Sequence, residues 1–140
     1  MVDELRRLLT TPAYADGDPD LEVDLLRRVF SIGIVRPMDV ARLHLRVTRE
    51  NVQRGRVIAQ RFEETLFSEP FDLLPALAGL NVPTLVLHGD QDFVPTPIAS
   101  GIAAALPRAR LAVLPACGHF AYLEAGDAVH AEVATFLRGA

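Results

Sequence analysis

The chain has 140 residues, of which 50% are hydrophobic, and a formal net charge of −4 at pH 7. This length is typical of a single domain, so we expect one hydrophobic core. The weak negative charge, with 14 basic residues (all arginine) against 18 acidic ones, argues against a surface that binds nucleic acid.

The cysteine usage and the hydropathy pattern indicate the compartment. The one cysteine, Cys117, cannot form an internal disulfide, so nothing in the sequence points to an oxidising compartment. The first residues, MVDELRRLLT, mix charges among leucines and lack the apolar core of a signal peptide. No apolar run approaches the roughly 20 residues that a membrane-spanning helix needs. We therefore expect a soluble, cytoplasmic protein that does not bind a membrane.

Residues 1–67 have the pattern of helices joined by short turns. The stretch VDELRRLL predicts a short amphipathic helix. In the turn DGDPD, Asp18 can accept hydrogen bonds from the first free amides of a helix, and Pro19 suits the first helical position. The helix that follows is predicted over about 20–34, and a longer one over about 51–67.

The second half has the pattern of alternating strands and helices. TLVLH has apolar residues on both faces, which is typical of a parallel strand covered on two sides. TPIASGIAAALP predicts a helix with Thr96 as its N-cap, Pro97 in its first turn and Pro107 after its end. ARLAVLP is a second strand, ACGHFAYLEAGD a loop, and AVHAEVATFLRG a helix that ends at Gly139. This order predicts an α/β fold, a βαβα unit with two parallel strands.

Polar residues follow both predicted strands. GDQD comes after the first strand and CGH after the second, and ligands of such sheets bind beyond the carboxyl ends of the strands. Asp92 can therefore meet His119, accept a hydrogen bond from its Nδ1–H and leave the other ring nitrogen to act as a base. The spacing equally allows Asp90 and Asp92 to be turn residues and His119 to be a loop histidine with an ordinary hydrogen bond.

The stretch VPTLVLHGDQDFVPTPIASGIAAALPRARLAVLPACGHFAYLE resembles the last third of an α/β-hydrolase, and most of all the proline-iminopeptidase-like branch, whose members carry a helical lid before this segment. The resemblance implies that Asp92, three residues after Gly89, is the acid of a catalytic triad and that His119, after Gly118, is its base. It also implies a lid (cap) region at 1–70 and the carboxyl-terminal βαβα part of the hydrolase core at 71–140. Asp90 is then a turn residue.

The activity that the resemblance implies is hydrolysis of an ester, an amide or a peptide, with no cofactor and no metal. The closest branch suggests peptides that begin with proline. Phe93 and Phe120 each adjoin a residue of the implied triad, so they either line a substrate pocket or simply pack.

The nucleophile of this family is missing from the sequence. It normally lies in a G-x-S-x-G turn, and none of Ser31, Ser68 and Ser100 has glycines at that spacing. We therefore expect a truncated protein that begins at the lid and either binds a complementing amino-terminal fragment or self-associates through the unpaired edge of the strand 83–88. A second hypothesis is a non-catalytic, relic module that binds a small ligand or a partner.

Three other interpretations are weaker. Cys117 as a nucleophile lies two residues from His119, in the same loop, and packing suits it better. A metal site formed by Asp92, Cys117 and His119 lacks further ligands. The stretch LVLHGDQDFV also fits the DxDxV form of haloacid-dehalogenase-type phosphatases, but those need a lysine, which this chain lacks. The remaining histidines are expected to be structural: His44, His88 and His130.

Overall fold

The computed structural model describes residues 2–65 and 72–139, which divide into two compact units. Unit 1 contains the residues before 30 together with 44–65, and unit 2 contains 30–43 together with 72–139. This division differs from the regions 1–70 and 71–140 expected from the sequence, because Phe30–Leu43 belongs to unit 2, where it is hydrogen-bonded to His119 and Glu124.

Unit 1 is helical. Its helices are α1 (Val2–Leu9), α2 (Pro12–Ala15), α3 (Pro19–Phe30, whose last residue belongs to unit 2) and α4 (Arg49–Thr65). Asp18 caps α3 as expected, since its Oδ1 accepts hydrogen bonds from the amides of Asp20 and Leu21, each at 3.0 Å.

Both long helices differ from their expected ranges. Helix α3 ends at Phe30 instead of residue 34, and Ser31–Gly33 forms a 3₁₀ turn, since the SIGIV stretch is a poor helix former. Helix α4 begins at Arg49 instead of 51 because Thr48 and Asn51 cap it reciprocally. The Thr48 amide donates to Oδ1 of Asn51 at 2.8 Å, and the Asn51 amide donates to Oγ1 of Thr48 at 3.3 Å. The expected last residues of α4, Leu66 and Phe67, lie outside the described residues.

Arg56 of α4 ties unit 1 together. Its Nη1 donates to the carbonyl of Tyr14 at 2.7 Å, and its guanidinium carbon lies 3.9 Å from the centroid of that ring. Its Nη2 lies 3.4 Å from a carboxylate oxygen of Glu22. This arginine is therefore partly a packing residue of unit 1.

Unit 2 is built on a two-stranded parallel sheet. Strand β1 (Thr84–Gly89) pairs with β2 (Ala109–Leu114) in a register that runs from Thr84 opposite Ala109 to Gly89 opposite Leu114. The crossover helix α6 (Thr96–Ala105) joins them, after a short α5 (Leu74–Leu77), and α7 (Ala121–Glu124) and α8 (Gly126–Gly139) follow β2. The predicted parallel βαβα order is confirmed. Phe30–Leu43 adds two 3₁₀ turns, Ser31–Gly33 and Pro37–Arg42.

Three local expectations in unit 2 were wrong. Thr96 is the first residue of α6 and not its N-cap; Pro95 holds the cap position, because its carbonyl accepts the first hydrogen bond, from Ile98 at 2.9 Å. The stretch expected to be a loop after β2 contains the one-turn helix α7. The last helix begins at Gly126, before the AVH that was expected to open it.

The core of unit 2 lies between the sheet and its helices. Its buried apolar residues include Ala99, Leu106, Ala112, Leu114 and Leu123. Leu85, Val86 and Leu87 of β1 are only half-buried, and β1 has a partner strand on one edge only within the part of the chain that the structure describes. None of the helices in residues 2–65 and 72–139 combines the length and hydropathy required to cross a bilayer.

Candidate active site

The loops that leave the carboxyl ends of β1 and β2 are held against each other. The Gln91 amide donates to the carbonyl of Cys117 at 2.9 Å, and Oδ1 of Asp90 accepts from the Cys117 amide at 3.2 Å. A methyl group on Gly89 would overlap the main-chain atoms of Cys117 and Gly118. Glycine is therefore required at the end of β1 for the two loops to approach, and Asp90 has the turn role expected of it.

The structure brings Asp92 and His119 together. Nδ1 of His119 lies 3.1 Å from Oδ1 and 3.0 Å from Oδ2 of Asp92. Oδ1 of Asp92 also accepts from the Val94 amide at 2.8 Å, which fixes the orientation of the carboxylate. Because an ionised carboxylate only accepts hydrogen bonds, Nδ1 must carry the proton of a neutral His119, and Nε2 keeps its lone pair.

The two side chains differ in exposure. The Asp92 side chain is 7% exposed, whereas the His119 side chain is 44% exposed. A buried carboxylate behind a half-exposed imidazole is the arrangement that orients a general base toward a reactant.

Aromatic rings lie on both sides of the imidazole. The centroid of Phe93 is 4.7 Å and that of Phe120 5.5 Å from the centroid of His119, and Phe30 packs on Phe120 at 5.3 Å. Phe93 is 57% exposed. The two residues expected either to line a pocket or to pack are thus both next to His119, and an apolar surface surrounds this ring.

Glu124 is the residue of this region that sequence reasoning missed. Its Oε2 accepts from the Gly118 amide at 2.9 Å, and its Oε1 accepts from the Val35 amide at 2.7 Å. The His119 amide also donates to the carbonyl of Gly33, at 2.7 Å. Val35 is far in sequence from Gly118 and His119, so no local sequence pattern predicts that Glu124 connects the two segments.

His88, at the end of β1 as expected, lies near the same carboxylate. Its side chain is 8% exposed and its Nδ1 lies 3.9 Å from Oδ2 of Asp92, beyond hydrogen-bond distance. Its Nε2 is buried without a hydrogen-bond partner among the described residues. His44 and His130 are exposed.

Neither of the two serines that the structure describes lies in a turn between a strand and a helix. Ser31 lies in a 3₁₀ turn and Ser100 within α6, while Ser68 lies outside the described residues. Residues 2–65 and 72–139 contain no group of three or more His, Cys, Asp or Glu side chains arranged to hold a metal ion.

Cys117 is fully buried, and its environment keeps the thiol protonated. Burial raises the pKa of the Cys117 thiol, and the carboxylates of Glu124, Asp90 and Asp92 raise that pKa further. A thiol is nucleophilic only as the thiolate, so Cys117 is a poor nucleophile at neutral pH. The packing role suits it better.

We expect Cys117 to react with 5,5′-dithiobis(2-nitrobenzoate) at least about 100-fold more slowly in the folded chain than in urea. Because the pKa of Cys117 is raised, the reaction of the folded chain should accelerate only at a pH above the usual thiol range. Absorbance of the released thiolate gives both rates, and the denatured chain is the control. Equal rates in the two states at neutral pH would contradict the buried, protonated thiol.

The family now follows from comparison with known proteins. A profile of the alpha/beta hydrolase family matches residues 2–132, so the chain belongs to that family. The match favours the hydrolase interpretation over the phosphatase alternative. A search of curated proteins finds no match.

Solved structures share the fold at low identity. An alpha/beta fold family hydrolase from Bacillus anthracis str. Sterne is 15% identical with a TM-score of 0.67, over 96% of this chain and 47% of the other. The 2-hydroxy-6-oxo-6-phenylhexa-2,4-dienoate hydrolase of Rhodococcus sp. strain RHA1 is 23% identical with a TM-score of 0.61, over 96% and 48%. The esterase RhEst1 from Rhodococcus sp. ECU1013 is 19% identical with a TM-score of 0.59, over 99% and 47%. The chain therefore spans about half the length of these structures.

Proposed function

We propose that this chain supplies the acid and the base of a serine hydrolase that cleaves esters or amides, with Asp92 as the acid and His119 as the base. The observation that carries the proposal is the contact of Nδ1 of His119 with both oxygens of the buried Asp92, while the ring itself stays half-exposed. The resemblance to the proline-iminopeptidase-like branch supports peptides with an amino-terminal proline as one substrate class.

The chemistry is acyl transfer to water. A serine oxygen attacks the carbonyl carbon as Nε2 of His119 takes the serine proton, and His119 then gives that proton to the leaving alcohol or amine. Water then attacks the acyl-serine as Nε2 takes a proton from it, and Nε2 returns that proton to the serine oxygen as the bond to the acyl group breaks and the acid is released. Asp92 stabilises the imidazolium that forms in each half of the reaction. These steps need no electron carrier and no metal.

We further propose that the serine comes from a separate or preceding segment that carries G-x-S-x-G. This segment would pair with the edge of β1 that has no partner strand among residues 2–65 and 72–139. The half-buried apolar residues Leu85, Val86 and Leu87 support this, because a parallel strand normally has both faces covered and an edge invites pairing. The half-length coverage of the related structures supports it as well.

A fluorophosphonate probe, which reacts with activated serines, tests this proposal. We expect no labelling of the isolated chain, and labelling of the partner's serine when the chain is mixed with the product of the reading frame upstream of Met1. Labelling should be lost when His119→Ala is used in the mixture, since the base is then missing. His130→Ala, the same change at an exposed histidine, is the matched control and should leave labelling intact.

Two outcomes would contradict the proposal. Labelling of this chain alone, at any of its three serines, would place the nucleophile within it. An upstream sequence without G-x-S-x-G, together with a chain that remains a compact monomer on dilution in size-exclusion chromatography, would contradict the complementing strand. Concentration-dependent dimers alone would instead favour self-association through β1.

One observation favours the second candidate, a module that binds a small apolar ligand. Unit 1 contains an open cleft of about 420 Å³ lined by Glu22, Leu26, Val47, Asn51, Val52 and Arg56. This volume is in the range of sites for small molecules. Two results together would support that role over hydrolysis. The chain would not support fluorophosphonate labelling in any mixture, and it would bind an apolar dye at this cleft, with the binding lost in Leu26→Arg.

A further inference from the structure

Glu124 joins two segments that are distant in the sequence. It is the last residue of α7 and is half-buried. One carboxylate oxygen accepts from the Gly118 amide at 2.9 Å, and the other accepts from the Val35 amide at 2.7 Å. The Arg36 amide lies 3.4 Å from Oε1, the oxygen that also accepts from Val35. The carboxylate therefore lies between the segment 33–36 and the loop that carries His119.

The backbones of those two segments are in direct contact at this point. The His119 amide donates to the carbonyl of Gly33 at 2.7 Å. A methyl group on Gly118 would overlap that same carbonyl and would lie 2.8 Å from Oε2 of Glu124. The two successive amides at 118 and 119 are thus both fixed, one by the Glu124 carboxylate and one by the Gly33 carbonyl. Together they set the direction in which the His119 side chain leaves the backbone.

The charges around Glu124 keep the segment 33–36 in place. Nη2 of Arg36 donates to the Glu124 carbonyl at 2.8 Å, and Nε of Arg36 donates to Asp39 at 2.7 Å. The hydrogen bond from Arg42, followed by that from Arg36, lowers the pKa of the Asp39 carboxyl, so Asp39 is ionised at neutral pH and holds Arg36. The lowered pKa also means that this support is lost only in acid, as the pH falls through the pKa that Asp39 has in the folded chain.

The geometry demands a carboxylate at position 124. Two separate oxygens accept from two separate amides, and charge-assisted hydrogen bonds of this kind are roughly twice as strong as neutral ones. A glutamine has one oxygen, and its amide group would face a second N–H donor without an acceptor. Nothing in the packing of α7 alone requires this charge, so a role in holding the His119 loop explains it.

We propose that Glu124 is a positioning residue for the histidine: it holds the backbone at 118 so that Nδ1 of His119 remains within hydrogen-bond distance of Asp92. The Glu124 carboxylate binds backbone amides, so it acts on His119 through the loop. The relevance of this role to catalysis rests on the proposed function, but the positioning itself is a property of the isolated chain.

Solution NMR of the full chain and of Glu124→Gln tests the inference. In the variant we expect amide exchange at Gly118 or Val35 to accelerate by about tenfold, the effect of losing one hydrogen bond. The Nδ1 proton of His119 should also lose its downfield position and exchange rapidly with water. Glu132→Gln is the matched control: it removes a carboxylate from the half-exposed ion pair with Arg110 and should leave both signals unchanged.

The outcomes separate this inference from the proposed function. If the wild-type chain lacks the hydrogen-bonded Nδ1 proton, the assignment of Asp92 and His119 fails. If the wild type has it and Glu124→Gln keeps it, with faster exchange at Gly118, then Glu124 has only a structural role and the positioning inference is overturned. If Glu124→Gln does not fold, Glu124→Asp decides the question, because its shorter side chain can reach one amide but not both. An unchanged Nδ1 signal in folded Glu124→Asp would overturn the inference.

Discussion

Replacing Asp92 by asparagine should lower kcat of the complemented hydrolase by about 10⁴-fold, the size of effect known for the orienting acid of a Ser-His-Asp triad. Asparagine has nearly the same shape, and its oxygen can still accept from the Val94 amide, which Oδ1 of Asp92 binds at 2.8 Å. The local backbone structure at 92–94 is therefore kept, and the free energy of unfolding should change little. What is lost is the charge that stabilises the imidazolium and the acceptor that keeps the proton on Nδ1 of His119.

Asp90→Asn is the control for this prediction. It makes the same chemical change two residues away, and its remaining oxygen can still accept from the Cys117 amide. Initial rates on a chromogenic ester should show a large loss for Asp92→Asn and a change of less than about threefold for Asp90→Asn. The reverse order, with Asp90→Asn inactive and Asp92→Asn active, would make Asp90 the acid and contradict the assignment.

Replacing Gly89 by alanine is expected to destabilise the chain by on the order of 3 kcal/mol or more. The added methyl group would overlap the carbonyl oxygens of Cys117 and Gly118 and the carbonyl carbon of Cys117. These are main-chain atoms, so no side-chain rotation relieves the overlap, and the loops after β1 and β2 must separate. The same change should displace Asp92 from His119.

Gly101→Ala is the matched control, since Gly101 lies within α6 and has no atom within 4 Å of an added methyl group. Alanine is the better helix former, so this variant should be more stable than the wild type by about 0.5–1 kcal/mol. Urea denaturation followed by circular dichroism measures both changes. A Gly89→Ala chain as stable as the wild type would show that the two loops do not pack as closely as the structure has them.

Local sequence patterns predicted the elements that carry the site. The apolar run TLVLH and the helix-forming stretch after it gave the parallel order of β1 and β2, because each pattern depends on neighbouring residues only. Parallel strands end on the same edge of a sheet, so the juxtaposition of Asp92 and His119 followed from topology, and the α/β-hydrolase resemblance selected Asp92 over Asp90.

What the sequence did not predict depends on contacts between distant residues. Phe30–Leu43 joins unit 2 through the Gly33 carbonyl and the Glu124 carboxylate, contacts that span more than 80 positions and have no periodic signature. The nucleophile, the lid role of residues 1–70 and the pairing of the β1 edge stay predictions.

Nitrogen-15 NMR of the His119 ring in the isolated chain tests the central claim most directly. At about pH 8, where imidazole groups are ordinarily neutral, we predict a proton on Nδ1, a bare Nε2 and a strongly downfield Nδ1 proton signal that disappears in Asp92→Asn. A neutral His119 ring with its proton on Nε2, and with a spectrum that Asp92→Asn leaves unchanged, would contradict the account.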